Sequence, residues 1–331
     1  MPQAYVLPPA PHMRKPWLFI LALCAVNCGG DSNTSVDEVD VVPVRLPGAR
    51  LWIDSTSTVW RAFRAETDPA AANLLGTIAT QPIVPWYTEP DQDIDSQVNG
   101  LVARIRGSGA LPVFALYAIP NRDCGSYASG GAANGAQYLA WINRVARGIG
   151  GRSAVVILEP DALLETECLS GPTLTERYDL LRLAVSALKT HAATSVYIDA
   201  GNPDWESSQE VASRLKRAGI DQADGFSLNV SSYWTTSQNL AYGNAISALV
   251  GGKHFIIDTS RNGNGAPAID DICNAPGLAL GANPTTATGI ANVDAFLWVK
   301  TPGESDGDCK GGPPAGDFWR DYALQLVRNR K

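Results

Sequence analysis

Residues 154–163 read Ala-Val-Val-Ile-Leu-Glu-Pro-Asp-Ala-Leu, and this run carries the reading of the fold. A short β-branched stretch over Ala154–Glu159 predicts a strand, with Asp161 just beyond its C-terminal end. An amphipathic segment, Leu174–Thr190, follows, in which Tyr178, Leu181, Val185 and Leu188 are spaced for one face of a 3.6-residue period. The same strand-then-helix alternation extends in both directions. Further strands are predicted at Arg50–Asp54, Pro82–Tyr87, Val113–Ile119, Ser195–Asp199, Gly225–Val230, His254–Asp258 and Ala295–Lys300. Helices are predicted at Ala136–Ile149, Ser207–Arg217, Ser237–Val250 and Asp317–Arg328. Alternation of this kind implies parallel βα units. Seven or eight of them in one domain predict an α/β fold: a distorted (β/α) barrel of seven to eight mostly parallel strands, TIM-barrel-like.

Composition narrows the function. The 331 residues are 45% hydrophobic and 18% charged, an ordinary globular balance that excludes a disordered or fibrous chain. Thirty-three acids oppose 26 bases for a net charge of −7, and no basic run exceeds Arg14-Lys15. A nucleic-acid partner is not expected, because phosphate neutralisation needs a cationic stripe. Only three histidines occur, His12, His191 and His254, so a multi-His metal site is not expected and neither is any cofactor. Acid–base chemistry falls to carboxylates. No repeat of 20–50 residues stands out.

The first forty residues differ from the rest. Arg14-Lys15 precede an apolar run, Trp17 to Val26, that is too short to span a bilayer and ends at Asn27-Cys28-Gly29-Gly30. Residues 1–28 are expected to be a signal peptide, with Met13 as an alternative start. Cys28 sits where a lipoprotein signal places its acceptor cysteine, although Asn27 replaces the usual small residue. Membrane attachment is expected only through lipidation at Cys28, so the protein is secreted or held at the cell surface. Loss of Arg14 and Lys15 with the leader makes the net charge −9. Residues 29–44 read as a flexible linker, and 45–331 as the single catalytic domain of a monomer. Four cysteines remain, Cys124, Cys168, Cys273 and Cys309; in an exported chain they favour two disulfides, with three pairings open.

Asp123, Asp161, Asp199, Asp258 and Asp306 all fall at or just past predicted strand ends, the face on which parallel barrels build active sites. A single such Asp is most simply a helix cap or loop residue. Five on one rim repel one another, and at least one is expected to keep its proton at neutral pH. A neutral carboxyl beside ionised ones is what glycosidic cleavage requires. Aromatic rings suit a sugar as well: Trp86, Tyr87, Tyr117, Trp205 and Tyr233-Trp234 lie near the same rim, whereas Trp52, Trp60, Trp141 and Trp319 read as core.

Leu116-Tyr-Ala-Ile-Pro-Asn-Arg-Asp-Cys-Gly-Ser-Tyr-Ala-Ser-Gly-Gly131 and Val155-Val-Ile-Leu-Glu-Pro-Asp-Ala-Leu163 resemble, in order, the two signatures of glycoside hydrolase family 6, the inverting β-1,4-glucanases. Similarity continues through Tyr197–Gly201, Ile256–Gly265 and Phe296–Gly307, covering roughly 45–330. The resemblance implies a distorted barrel of mostly seven parallel strands. By motif, it makes Asp161 the general acid. Asp123 keeps Asp161 protonated and organises the attacking water, and Asp306 takes the position often proposed as base. Asp199 supports the network, Tyr117 presses on the sugar at the cleavage point, and Ser129 holds the water chain. Trp86, Trp205, Lys300 and Glu304 match substrate-binding positions, to which Asn229 and Arg122 are added. It also implies the disulfides Cys124–Cys168 and Cys273–Cys309, and a β-1,4-glucan or cello-oligosaccharide as the molecule bound.

The departures from the family pattern are informative. Asn202-Pro203-Asp204 replaces a frequent His, and Ile272 replaces a frequent Trp before the third cysteine. Only Gly307 and Asp308 separate Asp306 from Cys309, and Gly130-Gly131 soon gives way to a helix. Loops this short do not roof the cleft, so hydrolysis of internal bonds is expected. The rivals are an exo-acting cellobiohydrolase, which needs a closed tunnel, and a noncatalytic glucan-binding lipoprotein, which predicts a damaged set of acids.

Overall fold

The computed structural model describes residues 44–91, 93–267 and 273–331. The expected leader, nearly all of the linker, Cys28 and Ile272 lie outside the described residues. Seven strands run in chain order across one sheet: β1 (Trp86–Tyr87), β2 (Val113–Leu116), β3 (Ala154–Leu158), β4 (Thr194–Asp199), β5 (Gly225–Leu228), β6 (His254–Asp258) and β7 (Val293–Leu297). Every neighbouring pair is parallel. The sheet curls until its edges approach. There, the Val84 N–H donates to the Trp298 carbonyl at 3.0 Å and Trp86 Nε1 donates to the Val299 carbonyl at 2.7 Å. Among the described residues no ladder joins β7 to β1. The barrel is distorted and incomplete, with seven strands.

The eighth candidate, Arg50–Asp54, is not a strand. Its Arg50 carbonyl meets the Leu111 N–H at 2.9 Å, but Asp54 then turns the chain by accepting from the Thr56 N–H and hydroxyl. The expected strand over Pro82–Tyr87 shrinks to its last two residues, because Pro82 and Pro85 bring no N–H to a ladder.

Between β1 and β2 lies α3 (Ile94–Gly107), and before β1 lie α1 (Thr58–Ala65) and α2 (Pro69–Ala79); none of these was expected. Ser57 and Asp68 cap the first two, and Pro69 opens the second. The remaining helices, α4 (Gly135–Ile149), α5 (Pro172–Leu188), α6 (Ser208–Arg217) and α7 (Thr236–Leu249), begin within two residues of expectation. The last, α8 (Arg320–Arg328), begins three residues late. Phe318 instead bridges to Glu304 in extended form.

Alternation along the strands sorts side chains into two layers. Val113, Ala115, Val155, Ile157, Tyr197, Ile256, Ala295 and Leu297 fill the inside of the curl. Phe114, Leu116, Val156, Leu158, Ile198, Phe226, Phe255 and Ile257 lie under the helices. The predicted face of α5 is buried there, with Tyr178 4% and Leu181, Val185 and Leu188 0% exposed. A third cluster joins α1, α2 and α8 around Trp298. Continued past the strand ends, the inward parity delivers Tyr117, Asp199, Asn229 and Asp258 to one rim.

Candidate active site

The site grows from the turn after β3. Glu159 and Asp161 flank Pro160 with φ of 49° and 69°, a left-handed backbone that non-glycine residues adopt only when held. Glu159 supplies one hold. It is wholly buried, and its Oε2 accepts the Ala118 and Ile119 N–H groups at 2.9 and 3.0 Å. Burial raises it to about 7. Arg177 of α5 supplies another, donating to the carbonyls of Ala162 at 2.9 Å and Pro120 at 2.8 Å.

This turn aims Asp161, half-buried, at the rim. Its own N–H donates to Asp199 Oδ1 at 3.1 Å. Burial, then the charges of Asp199 and Asp123, push its carboxyl well above the ordinary aspartate range; Tyr117 and Lys300 pull only weakly the other way. Burial and its acidic neighbours thus favour the neutral form of Asp161.

Asp199, at the end of β4, is 1% exposed. Besides the Asp161 N–H it accepts from Gly201 N–H at 3.1 Å and from the Ser227 hydroxyl at 2.9 Å. Burial raises it to about 6 against these hydrogen bonds. Asp258, the corresponding residue on β6, has a different job. It accepts the N–H groups of Ser260, Ser231 and Lys300 at 2.8, 3.1 and 2.9 Å, so for this one of the five the loop-capping reading holds.

Asp123 begins the loop after β2, and its Oδ2 accepts the Ala128 N–H at 2.6 Å. Arg122 fixes that loop from below. It donates to the carbonyls of Ala128, Thr88, Tyr117 and Ser129, and its guanidinium lies 4.7 Å from the Tyr117 ring centroid. Ser129 is exposed at the loop's tip. Gly131 closes the loop at φ 89°, where an added Cβ would come within 2.2 Å of the Ile119 carbonyl oxygen, leaving no room for any other residue. The loop is tied to the one after Asp161 by the disulfide Cys124–Cys168.

Across the rim Asp306 is held as an anion. Arg261 donates through Nη1 to both its oxygens at 2.9 and 2.7 Å, Lys300 Nζ stands 3.2 Å away, and the Asn274 N–H adds a bond at 3.0 Å. Burial alone would raise Asp306, but Arg261 and Lys300 override it and hold the carboxyl far below its usual range. Lys300 thus acts on both acids, one neutral and one charged. Cys273–Cys309 secures this side. Both cystines pair as the resemblance implied.

The other expected residues divide into two groups. Trp205 is 36% exposed and Trp86 half-buried, the latter edge-on to Tyr117 at 5.5 Å; both remain reachable. Glu304 and Lys300 are partly covered, and burial raises Glu304. Tyr117 is 7% exposed. Arg122, expected to bind substrate, is also 7% exposed with its donors spent on backbone. Asn229 is 0% exposed, donating to the Asp258 carbonyl and accepting from Trp234 N–H. These last two lie under the cleft and shape it. Sequence reasoning missed Arg261, Asn274 and Glu159, and also Glu165, which is half-buried beside Asp123. Glu159 and Arg261 carried a signal, lying inside Glu-Pro-Asp and the Ile256–Gly265 segment.

Residues 47–330 match the profile of glycosyl hydrolases family 6. The chain is 42% identical over 287 residues to Endoglucanase A of Cellulomonas fimi, covering 86% of this chain and 62% of that protein. It is 40% identical to Endoglucanase 1 of Streptomyces halstedii, covering 83% and 86% respectively. The chain thus spans less than two thirds of the Cellulomonas protein's length. Its fold is similar to that of the endoglucanase Cel6 from Mycobacterium tuberculosis, solved with methyl-cellobiosyl-4-deoxy-4-thio-β-D-cellobioside. The TM-score is 0.82 at 44% identity, covering 86% of this chain and 98% of that one. A seven-stranded parallel sheet with its carboxyls collected at one rim, matched from before its first strand to its last helix, belongs to glycosyl hydrolases family 6.

Proposed function

We propose that the protein is an endo-acting β-1,4-glucanase that hydrolyses internal bonds of cellulose or related β-glucans with inversion. The observation that carries this reading is the contrast between Asp161, kept neutral, and Asp306, kept charged, on the two sides of one cleft. Asp161 gives its proton to the departing glycosidic oxygen. Water enters from the opposite face of the sugar, ordered by Asp123 and Ser129, and Asp306 stands on the base side. An inverting pair needs about 6.5–9.5 Å between the two carboxyls to admit that water. Asp199 supports Asp161, and Tyr117 presses on the sugar at the cleavage point. Trp86 and Trp205 stack on pyranose faces, while Lys300 and Glu304 bind hydroxyls. Arg122 and Asn229 act by holding the floor of the cleft. The names of the Cellulomonas, Streptomyces and Mycobacterium relatives support endo action, as does the short Asp306–Cys309 loop.

Export by the leader 1–28, a linker over 29–44, a catalytic domain over 45–331, lipidation at Cys28 and a monomeric state belong to the same proposal. No helix among the described residues is long and apolar enough to cross a membrane.

The test is proton NMR of a cello-oligosaccharide digest, with viscometry of soluble cellulose. Wild type should release the α-anomer first and thin the polymer early. Asp161→Asn should lose about 10²–10⁴-fold in kcat with its fold and its oligosaccharide affinity retained. Release of the β-anomer, or near-normal turnover by that variant, would overturn the assignment.

A further inference from the structure

The loop that begins at Asp123 and the loop that begins at Asp306 are joined by one side chain. Tyr127 is 55% exposed, yet its ring lies on the α-carbon of Gly307. A Cβ built on Gly307 would fall 2.5 Å from Tyr127 Cδ1 and 2.7 Å from its Cγ, and the three nearest atoms all belong to Tyr127. Gly307 lacks the positive φ that calls for glycine elsewhere in the chain, so what needs its missing side chain is this ring. Both supports are fixed without the ring. Ala128, next to Tyr127, donates to Asp123 Oδ2 at 2.6 Å and accepts from Arg122 Nε at 2.7 Å, and Cys124–Cys168 ties that loop down. The Gly307 N–H donates to Ser305 Oγ at 3.1 Å, its carbonyl accepts from Asn274 Nδ2 at 2.8 Å, and Cys273–Cys309 closes that side. Among the described residues nothing hydrogen-bonds the Tyr127 hydroxyl, so the ring is free to turn away through its own rotamers.

We propose that Tyr127 is a further positioning residue for hydrolysis, a strap one side chain thick that rests on Gly307 and closes the water side of the cleft between Asp123 and Asp306. This rests on the reading above, in which Asp123 orders the attacking water and Asp306 stands on the base side. Tyr127 is four residues past Asp123, and Gly307 directly follows Asp306, so the ring spans from one acid's loop to the other's. Seated, it lays an apolar face over the space between them. That face offers a water molecule no competing partner and cuts it off from bulk solvent. Lifted, it leaves the groove open to an internal stretch of chain. The Asp306–Cys309 loop is too short to roof the cleft itself, and the ring supplies a movable cover in its place.

The experiment pairs kinetics with fluorine NMR. Tyr127→Ala should lower kcat on cello-oligosaccharides about tenfold, with KM changed less than about twofold and the melting temperature less than about 2 °C. Tyr127→Phe keeps the ring and should recover most of that loss. Gly307→Ala pushes the ring off its seat and should lower kcat to a similar degree. Combined with Tyr127→Ala it should cost less than about twofold more, since both changes break one contact. A residue that only stabilised the fold would lower the melting temperature and leave kcat in place. Independently of turnover, protein labelled with 3-fluorotyrosine should show a Tyr127 resonance, assigned by its loss in Tyr127→Phe. That resonance should move in Gly307→Ala, and again when a cello-oligosaccharide is added to Asp161→Asn. If a strap variant does not fold, the shift on adding oligosaccharide to Asp161→Asn decides alone. Additive losses, equal damage from Phe and Ala, or a resonance unmoved in either comparison would overturn the proposal. Failure of wild type to hydrolyse the substrate would instead overturn the functional reading and leave the fluorine shift in Gly307→Ala standing.

Discussion

Asp199→Asn should make the protein more stable and its active pH range narrower. Asp199 is buried and titrates at about 6 instead of 3.8. Because its folded value lies above its unfolded one, the native state holds the proton more tightly. That preference stabilises the fold fully below about pH 4 and is lost as pH rises through about 6. At pH 7 the ionised side chain therefore costs about 3 kcal/mol relative to its neutral form. Asparagine removes the charge yet keeps the geometry. Its Oδ1 can still accept from Asp161 and Gly201, and its Nδ2 faces a Ser227 hydroxyl able to accept. At slightly under about 2 °C per kcal/mol for a domain of this size, thermal unfolding at pH 7 should move up about 4–5 °C. At pH 4, where the aspartate is protonated anyway, the gain should fall below about 1 °C. Catalysis should move the other way. After burial, Asp199 is the largest influence keeping Asp161 protonated, so the alkaline limb of kcat/KM should retreat toward acid. Calorimetry at the two pH values and a pH–rate profile check both halves. A gain that is absent at pH 7, or equal at pH 4, or an unmoved alkaline limb, would refute the reasoning.

Arg261→Met should leave Asp306 with Lys300 as its remaining cation and cost about 3–5 kcal/mol in urea unfolding at pH 7. Asp306 titrates below its unfolded value, so its contribution is present above about pH 4 and fades as pH falls through the folded value; the difference between variant and wild type should shrink on acidification. Removing Cys124–Cys168 by double serine substitution should cost up to about 4 kcal/mol for a 44-residue separation. Activity in that variant should fall at temperatures where circular dichroism still reports a folded sheet, because Asp123 and Glu165 lose their common anchor.

Much of the scaffold is readable from local pattern, because β3 and β4 are β-branched runs and helices follow every strand from β1 to β5. Helices α1 and α2 are too short to show a sustained period, and their caps are clear only once the helix is known. Helix α3 did carry one, with Ile94, Val98, Leu101, Val102 and Ile105 on its buried side. The aspartates were legible as a set because all end strands or follow them closely. Which of them is neutral was not, since that depends on partners far along the chain. Arg261 is 45 residues from the Asp306 that it ionises, and Asp199 is 38 from the Asp161 that it keeps neutral. The roles came from the resemblance, and the electrostatics explain why the motif residues can fill them. Arg122 and Asn229 look alike in sequence to polar rim residues; only their burial separates a residue that meets a sugar from one that supports the loop beneath it.

The strand order has a consequence for how the molecule is made. Each strand pairs with the one synthesised immediately before it, so a chain emerging from its N-terminus can add one βα unit at a time onto an edge that already exists. The cystines obey the same sequence: Cys124 and Cys168 are both present before Cys273 appears, and Cys273 then waits only for Cys309. Among these four, an oxidant that joins thiols in order of arrival yields the native pairs without later reshuffling, and the approach of Val84 to Trp298 has to await the last strand.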